Sequence, residues 1–77
     1  MVERKEDDVS REELQKLQDY FRRRFNMTSI EIRARPQKND SAEVYIADEF
    51  IGVLFRDDED GDLSYNFTMA ILDIDLE

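Results

Sequence analysis

The second half of the chain, from Ser41 to Leu72, restricts the possible folds more than any other part of the sequence. Short runs of alternating apolar and polar side chains follow one another there, separated by clusters rich in Asp, Glu and Gly. A period of two is typical of strands that bury one face of a sheet, and acidic, Gly-containing clusters are typical of turns. We therefore expect consecutive strands that pair antiparallel through short connections.

Three of the predicted strands lie in the middle of the chain. The first, residues 30–35, alternates apolar and charged side chains and ends at Pro36, which cannot continue a paired strand. Residues 37–41, QKNDS, have the composition of a loop. The second and third strands are predicted over residues 42–47 and 50–56, where apolar side chains again occupy every second position.

The connection between the second and third strands sets their register. A two-residue turn at Asp48-Glu49 would pair β-branched residues on one face of the sheet, namely Ile46 with Ile51 and Val44 with Val53. Tyr45 would then lie opposite Gly52 on the other face, where its ring would cover the bare backbone. Asp-Glu is not a favoured pair for such a turn, so a longer loop is the alternative.

The last part of the chain is predicted to form a turn and a fourth strand. The acidic stretch 57–62, DDEDGD, has the composition of a turn in which Gly61 supplies a positive φ. Apolar side chains alternate with Ser, Asn and Thr over residues 63–71, as expected for a strand. A helix over residues 67–74 is the alternative, because apolar side chains there also recur at helical spacing. The Tyr, Phe and Thr content of the segment favours the strand.

One amphipathic helix is predicted near the N-terminus, over residues 11–25. Ser10 and Glu13 have the S-x-x-E spacing of a capping box, and three Arg residues occupy the last turn, where the helix dipole favours cations. Asn26 is the predicted left-handed residue that ends the helix. The apolar side chains that form one stripe at three- and four-residue spacing are Leu14, Leu17, Phe21 and Phe25.

These elements predict an α+β fold with one N-terminal helix packed on a four-stranded antiparallel β-meander, in the order α-β-β-β-β. The domain would span residues 10–77, and residues 1–9 would form a flexible charged leader. One helix can cover only one face of such a sheet. The strand residues predicted beneath it are Ile30, Ile32, Val44, Ile46, Ile51, Val53, Phe55, Tyr65 and Phe67. Those predicted to face the other way are Tyr45, Ala47, Phe50, Leu54, Ala70 and Leu72.

The run DSAEVYIADEFIGVLFRDDEDGDLSYNFTMAILDIDL, with RARP upstream of it, resembles a family of short uncharacterised proteins from alphaproteobacteria. The likeness covers roughly residues 12–76, and the stretch from the acidic hairpin through DGDLSYNF is its most specific part. The resemblance implies a bacterial domain of unknown function, and it supplies no catalytic or ligand-binding residues.

The composition argues against catalysis. The 77 residues include no His and no Cys, so the commonest general base and the most reactive nucleophile are missing. No catalytic residue, cofactor, metal ligand set or small-molecule substrate is indicated. The acidic stretch 57–62 does not fit a calcium-binding helix-loop-helix, because Arg56 and Phe67 would occupy ligand positions. The sequence leaves open whether that stretch binds divalent ions weakly.

The net charge of −9 is unevenly distributed along the chain. Residues 22–38 carry six basic side chains and one acidic side chain, whereas residues 39–77 carry twelve acidic and one basic. No apolar run is long enough to cross a membrane, and the charged N-terminal stretch does not have the form of a secretory signal. A cytoplasmic location is therefore expected.

These features favour a non-enzymatic module that binds another protein, either a different chain or a second copy. The uncovered sheet face is the candidate interaction surface, with an arginine flank. Its predicted residues are Tyr45, Phe50 and Leu54, flanked by Arg22, Arg23, Arg33 and Arg35. The unprotected edge at residues 64–72 is a second place for self-association. The alternative is a nucleic-acid-associated regulator that uses the basic zone from Arg22 to Lys38, which the isoelectric point of about 4.4 disfavours.

Overall fold

The computed structural model describes residues 9–35, 38–59 and 61–77. One helix is followed by four antiparallel strands in an open sheet, which confirms the predicted α+β fold. The elements are α1 (Arg11–Arg24), β1 (Ile30–Arg35), β2 (Lys38–Ile46), β3 (Glu49–Asp57) and β4 (Ser64–Thr68), and a short 3-10 helix spans Asp73–Leu76. The strands lie in the order β1-β2-β3-β4. Apart from Val9, which packs against the core, the predicted leader lies outside the described residues.

The capping residues predicted at both ends of α1 adopt the predicted conformations and contacts. The Ser10 hydroxyl accepts a hydrogen bond from the Glu13 backbone N–H at 3.0 Å, and the Glu13 carboxylate accepts one from the Ser10 N–H at 3.0 Å. This capping box satisfies two of the backbone donors that a helix start leaves free. At the other end Asn26 has a φ of 52°, and the Met27 N–H donates to the Arg22 carbonyl at 3.0 Å. These are the features of a Schellman motif, with Asn in the left-handed position.

The turn between β2 and β3 lies one residue earlier than predicted. Ala47 and Asp48 have φ values of 50° and 68°, the signature of a type I′ turn, so Ile46 pairs with Glu49. The predicted Asp48-Glu49 turn is therefore wrong. The pairing then shifts by one residue, because Ile51 is an extra residue in β3 that has no partner in β2. Beyond this bulge Val44 pairs with Gly52 instead of Val53.

The bulge exchanges the two faces of β3. Successive side chains of a strand point to opposite faces, so one inserted residue reverses the orientation of every side chain that follows. Leu54 consequently lies beneath the helix with only 1% of its surface exposed, whereas it was predicted to face the other way. Val53 and Phe55 were predicted beneath the helix and lie on the uncovered face instead, and Phe55 is 40% exposed.

The core lies between α1 and the first three strands. Leu17 and Phe21 of the helix pack with the buried strand side chains, which are Ile30, Ile32, Ala42, Val44 and Leu54. Ile46, Ile51 and Tyr65 pack against this cluster and are partly buried. The contribution of Leu17 and Phe21 and the inward positions of β1 and β2 are therefore as predicted, whereas Phe25, which was predicted in the apolar stripe of the helix, is 54% exposed.

Gly52 permits a close approach between β3 and the end of β4. A Cβ atom at this position would lie 2.5 Å from the Thr68 carbonyl oxygen and 2.7 Å from the Phe67 ring. Backbone cannot give way as a flexible side chain can, so any larger residue here would push the two strands apart. It is the ring of Phe67 that lies near Gly52, whereas the sequence predicted the ring of Tyr45 in this role.

Two further boundaries differ from the sequence prediction. Lys38 to Ser41, predicted to be loop, already belong to β2, and Pro36 lies outside the described residues. β4 is shorter than predicted and ends at Thr68. The alternative helix over residues 67–74 is wrong, because helical structure begins only at Asp73 and comprises one short 3-10 helix.

Candidate interaction surfaces

The uncovered side of the sheet, called the open face below, has a polar half on β1 and an apolar half on β3. Its side chains are those that point away from α1 in the observed register: Glu31, Arg33, Glu43, Tyr45, Phe50, Val53, Phe55, Asn66 and Thr68. The division follows from the sequence of each strand, since β1 places charged residues at its outward positions and β3 places apolar ones there.

In the polar half, Arg33 and Tyr45 contact each other, and each is bonded to acidic neighbours. The Arg33 guanidinium lies 4.0 Å above the centre of the Tyr45 ring and donates hydrogen bonds to Glu31 and, at 2.7 Å, to Asp48. These two carboxylates raise the pKa of Arg33. The Tyr45 hydroxyl donates to Glu43 at 2.8 Å, which raises the pKa of Tyr45. The cation–π contact and the ion pairs hold the Tyr45 ring in place.

The apolar half continues into a groove beside β3. The Phe50 ring lies 5.7 Å from the Tyr45 ring in an edge-to-face arrangement, and it is 51% exposed. Next to it is a cavity of about 640 Å³ between β3 and the residues that follow β4. Its apolar lining includes Phe50, Ile51, Val53, Phe55, Met69, Ile71 and Leu72. This lining is called the β3 groove below.

The residues after β4 add exposed apolar surface of their own. The C-terminal segment, residues 69–76, has no buried residue. Ile71, Leu72, Ile74 and Leu76 are between 60% and 74% exposed. Acidic residues alternate with the last apolar side chains of the segment, and the segment contains no basic residue. Such a concentration of exposed apolar area is typical of an interaction surface.

The predicted interaction residues do not lie together in the fold. Tyr45 and Phe50 lie together on the open face, and Arg33 lies over Tyr45. Leu54 is in the core and offers no surface to a partner. Val53 and Phe55 were not predicted on this face, because nothing in the local pattern marks Ile51 as a bulge.

The arginines do not form one patch. Arg22 and Arg23 belong to α1, on the other side of the sheet from Arg33. The Arg22 Nε donates to the Ile30 carbonyl at 2.8 Å, and the Arg35 guanidinium donates to the Ser41 hydroxyl at 3.0 Å. Arg23 is exposed and borders a shallow depression on α1 that also includes Asp19.

Side chains of the helix form hydrogen bonds with the outer edge of β1. The Gln18 carbonyl oxygen accepts a hydrogen bond from the Ile32 N–H at 3.0 Å, and Arg22 donates to the Ile30 carbonyl. Both of these backbone groups would otherwise be free to pair with another strand. For the outer edge of β4, no such side-chain bond is found among the described residues. In the part of the chain that the structure describes, the sheet therefore has one covered edge and one open edge.

A polar cluster attaches the start of α1 to the last two strands. Glu13 accepts hydrogen bonds from Arg56, at 2.9 Å, and from the Tyr65 hydroxyl. Burial alone would raise the pKa of Glu13, but bonds from Tyr65, the Ser10 N–H and Arg56 outweigh it and lower the pKa to about 2. Burial and the bond to Glu13 raise the pKa of Tyr65 to about 12. Glu13 therefore stays ionised and serves as an anchor for the helix.

The described residues give few signs of other kinds of site. In residues 9–35, 38–59 and 61–77, no three acidic side chains are arranged so that they could hold a metal ion. The acidic stretch 57–62 includes residue 60, which lies outside the described residues, so weak binding of calcium there stays untested. Across the described part of the chain, neither helix has the length and apolar character needed to cross a bilayer.

Fold and surface together define a small helix-and-sheet domain whose described residues leave an apolar sheet face and one strand edge uncovered. The chain belongs to the family described as "Protein of unknown function (DUF3126)", whose family model matches residues 13–75. This match confirms the resemblance to an uncharacterised family. No curated protein and no solved structure matches the chain.

Proposed function

We propose that this protein is a non-catalytic interaction module of the bacterial cytoplasm, which binds a different protein through the β3 groove and the apolar half of the open face. The supporting observation is that the exposed aromatic side chains of β3 and the exposed apolar side chains of the C-terminal segment line one cavity. Interfaces are enriched in aromatic residues at positions where a partner can exclude water.

The charges around the groove specify the chemistry of the partner. Glu49 and Asp75 line the groove, and Asp73 lies in the same 3-10 helix as Asp75. Arg33, a cation of the open face, is already paired with two carboxylates. A partner that presents apolar side chains flanked by Lys or Arg would fill the groove and meet opposite charge at its rim.

Synthetic peptides provide the direct test of this proposal. One set carries a short Leu- and Phe-containing core flanked by Arg, and the matched set has the same core flanked by Glu. Titrated into the labelled full chain, the Arg-flanked set is expected to shift the amide signals of Phe50, Val53, Phe55 and Ile71. The Glu-flanked set is expected to leave them in place, because it would meet charge of its own sign.

Two substitutions localise the binding. Phe50→Ser and Phe55→Ser are each expected to weaken binding of the Arg-flanked peptides about tenfold or more, since central aromatic residues dominate interface energy. Tyr20→Ser is the matched control, because Tyr20 is 50% exposed but lies on the helix. Peptide-induced shifts confined to other surfaces, or equal affinity for both peptide sets, would contradict the proposal.

Nucleic-acid association through the zone from Arg22 to Lys38 is the alternative. It has less support, because Arg22 and Arg23 lie on the other side of the sheet from Arg33, and Arg33 is paired with Glu31 and Asp48. A gel shift with short single- and double-stranded oligonucleotides at low salt tests it, since phosphate contacts are strongest there. A shift that Arg23→Ala abolishes would favour this alternative.

A further inference from the structure

The two edges of the sheet differ in whether their outward backbone groups are hydrogen-bonded. At β1, Gln18 and Arg22 occupy backbone groups that point away from the sheet. At β4, the side-chain bonds found among the described residues leave the outward backbone groups without a partner. An open edge of this kind pairs readily with a strand of another chain unless charge, proline or a covering element prevents it.

The open edge also lies in the least charged part of the sequence. Residues 63–72, LSYNFTMAIL, include no charged side chain, although 40% of the chain is charged. No other stretch of the sequence runs as far without a charge. Two copies of a chain with a net charge of −9 repel each other over most of their surface. Along β4 they can approach without placing like charges opposite one another.

β4 is complementary to itself when two copies run antiparallel. With Asn66 at the centre, Tyr65 of each copy lies opposite Phe67 of the other, on the side that carries the helix. Ser64 lies opposite Thr68 on the open face. Aromatic pairs and hydroxyl pairs directly across two strands both stabilise a sheet. This register keeps each side chain on its own face and obeys two-fold symmetry, and because Asn66 is the middle residue of β4 it pairs the strand over its whole length.

A second apolar groove lies beside the same edge, on the side of the sheet that carries α1. It has a volume of about 530 Å³ and lies between the helix and β4. Its lining comprises Leu17, Tyr20, Phe21, Arg24, Phe25, Leu54, Tyr65 and Phe67. Phe67 contacts Phe21 edge to face and is still 37% exposed. A strand added at the β4 edge would place its own aromatic side chains over this groove.

We propose that β4 is a dimerisation edge, at which a second copy of this chain pairs antiparallel with Asn66 opposite Asn66 and the two sheets join into one of eight strands. This interface is the backbone edge of β4, and it leaves Phe50 and the apolar lining of the β3 groove free for a partner.

Sedimentation velocity over a concentration series tests the interface with two charge variants. Asn66 is exposed and would face its own copy across the symmetry axis. Asn66→Lys and Asn66→Glu are each expected to raise the dimer dissociation constant about tenfold, because like charges then lie directly opposite. An equimolar mixture of the two variants is expected to recover the dimer, since opposite charges then face each other.

Controls separate this edge from other surfaces. Thr28→Lys changes the net charge by the same amount at an exposed position that precedes β1, and it is expected to leave the dimer intact. Phe50→Ser removes an open-face residue that pairs with Tyr45 of β2 and has no partner in β4, and it is likewise expected to leave the dimer intact. Failure of the proposed dimer and failure of the proposed partner site can therefore be told apart. A wild-type chain that stays monomeric, or a mixture no better associated than either variant, overturns the proposal.

A measurement without substitution covers the case in which a variant does not fold. In a sample that mixes labelled and unlabelled chains, intermolecular NOEs are expected between the Tyr65 ring of one copy and the Phe67 ring of the other. Intermolecular NOEs that involve Phe50 or Tyr45 instead would place the dimer on the open face and overturn the proposal.

Discussion

At the β1 end of the sheet, α1 lies across the strand, Ile30 is 2% exposed and helix side chains bond the outer backbone groups. At the β4 end, Phe67 is 37% exposed and the described residues provide no such bonds. The sheet is therefore covered at its β1 end and exposed at its β4 end. A single helix of fourteen residues cannot cover all four strands, since neighbouring strands lie about 4.8 Å apart and a helix is about 10 Å wide.

The comparison also applies to neighbouring residues of one strand. Leu54 and Phe55 are adjacent in β3, but the bulge places Leu54 in the core and Phe55 on the open face. The apolar character of a residue therefore does not tell which role it has in this strand. The following predictions test the contrast between covered and uncovered regions, beginning with the largest effect.

Truncation of Leu54 is expected to be the most destabilising of these changes. Leu54→Ala should lower the free energy of unfolding by about 3 kcal/mol, because it removes a fully buried side chain and leaves a cavity. Phe55→Ala is the matched control and should change it by less than about 1 kcal/mol, since Phe55 is 40% exposed. Chemical denaturation measures both values. The reverse order would mean that β3 has the register predicted from sequence.

Neutralisation of Glu13 is expected to have an intermediate, pH-dependent effect. Glu13→Gln should lower the free energy of unfolding by about 1.5 kcal/mol at neutral pH, because hydrogen bonds to a charged group are stronger than those to a neutral one. The pKa of Glu13 is about 2 in the folded chain and 4.5 without its partners. A lowered pKa stabilises the fold above the unfolded value, and this contribution is lost as the pH falls from about 4.5 towards 2.

Denaturation of wild type and Glu13→Gln across that pH range isolates the contribution of Glu13 from those of other carboxylates. The two free energies are expected to converge as the pH approaches 2. A gap between wild type and Glu13→Gln that stays constant down to pH 2 would show that the carboxylate is not held ionised by its partners.

Loss of the bond to the β1 edge is expected to have the smallest effect on stability. Gln18→Met keeps the length of the side chain but removes the acceptor for the Ile32 N–H, at a cost of about 1 kcal/mol. Faster hydrogen exchange of the Ile32 amide would report the freed edge. Gln15→Met on the exposed side of α1 is the control. Unchanged exchange at Ile32 would mean that the helix does not protect this edge.

Local signals identified the helix and its ends. Ser10 and Glu13 are three residues apart and bond each other within one turn, and Asn26 adopts the left-handed conformation for which Asn is suited. Such interactions involve neighbours in the sequence, so the pattern of residues is sufficient to predict them. The alternation in β1 likewise placed Ile30 and Ile32 in the core correctly.

The candidate site was predicted only in part. Tyr45 and Phe50 were placed correctly on the open face, whereas Leu54 was assigned to it wrongly and Phe55 was missed. The reason is that residues 50–55, FIGVLF, are apolar at every position except Gly52. Either set of alternate residues can form a hydrophobic face, so the period of two does not choose between them.

The sequence by itself determined the order of the elements, the ends of the helix and the antiparallel pairing of successive strands, because these depend on residues close together in the chain. Only the tertiary structure decided which face of β3 is buried and which edge of the sheet stays open. The buried face of β3 and the covered edge of the sheet depend on the close approach of Gly52 to Thr68 and on the bonds from α1 to β1. These contacts connect different elements of the fold, so the local sequence pattern does not reveal them.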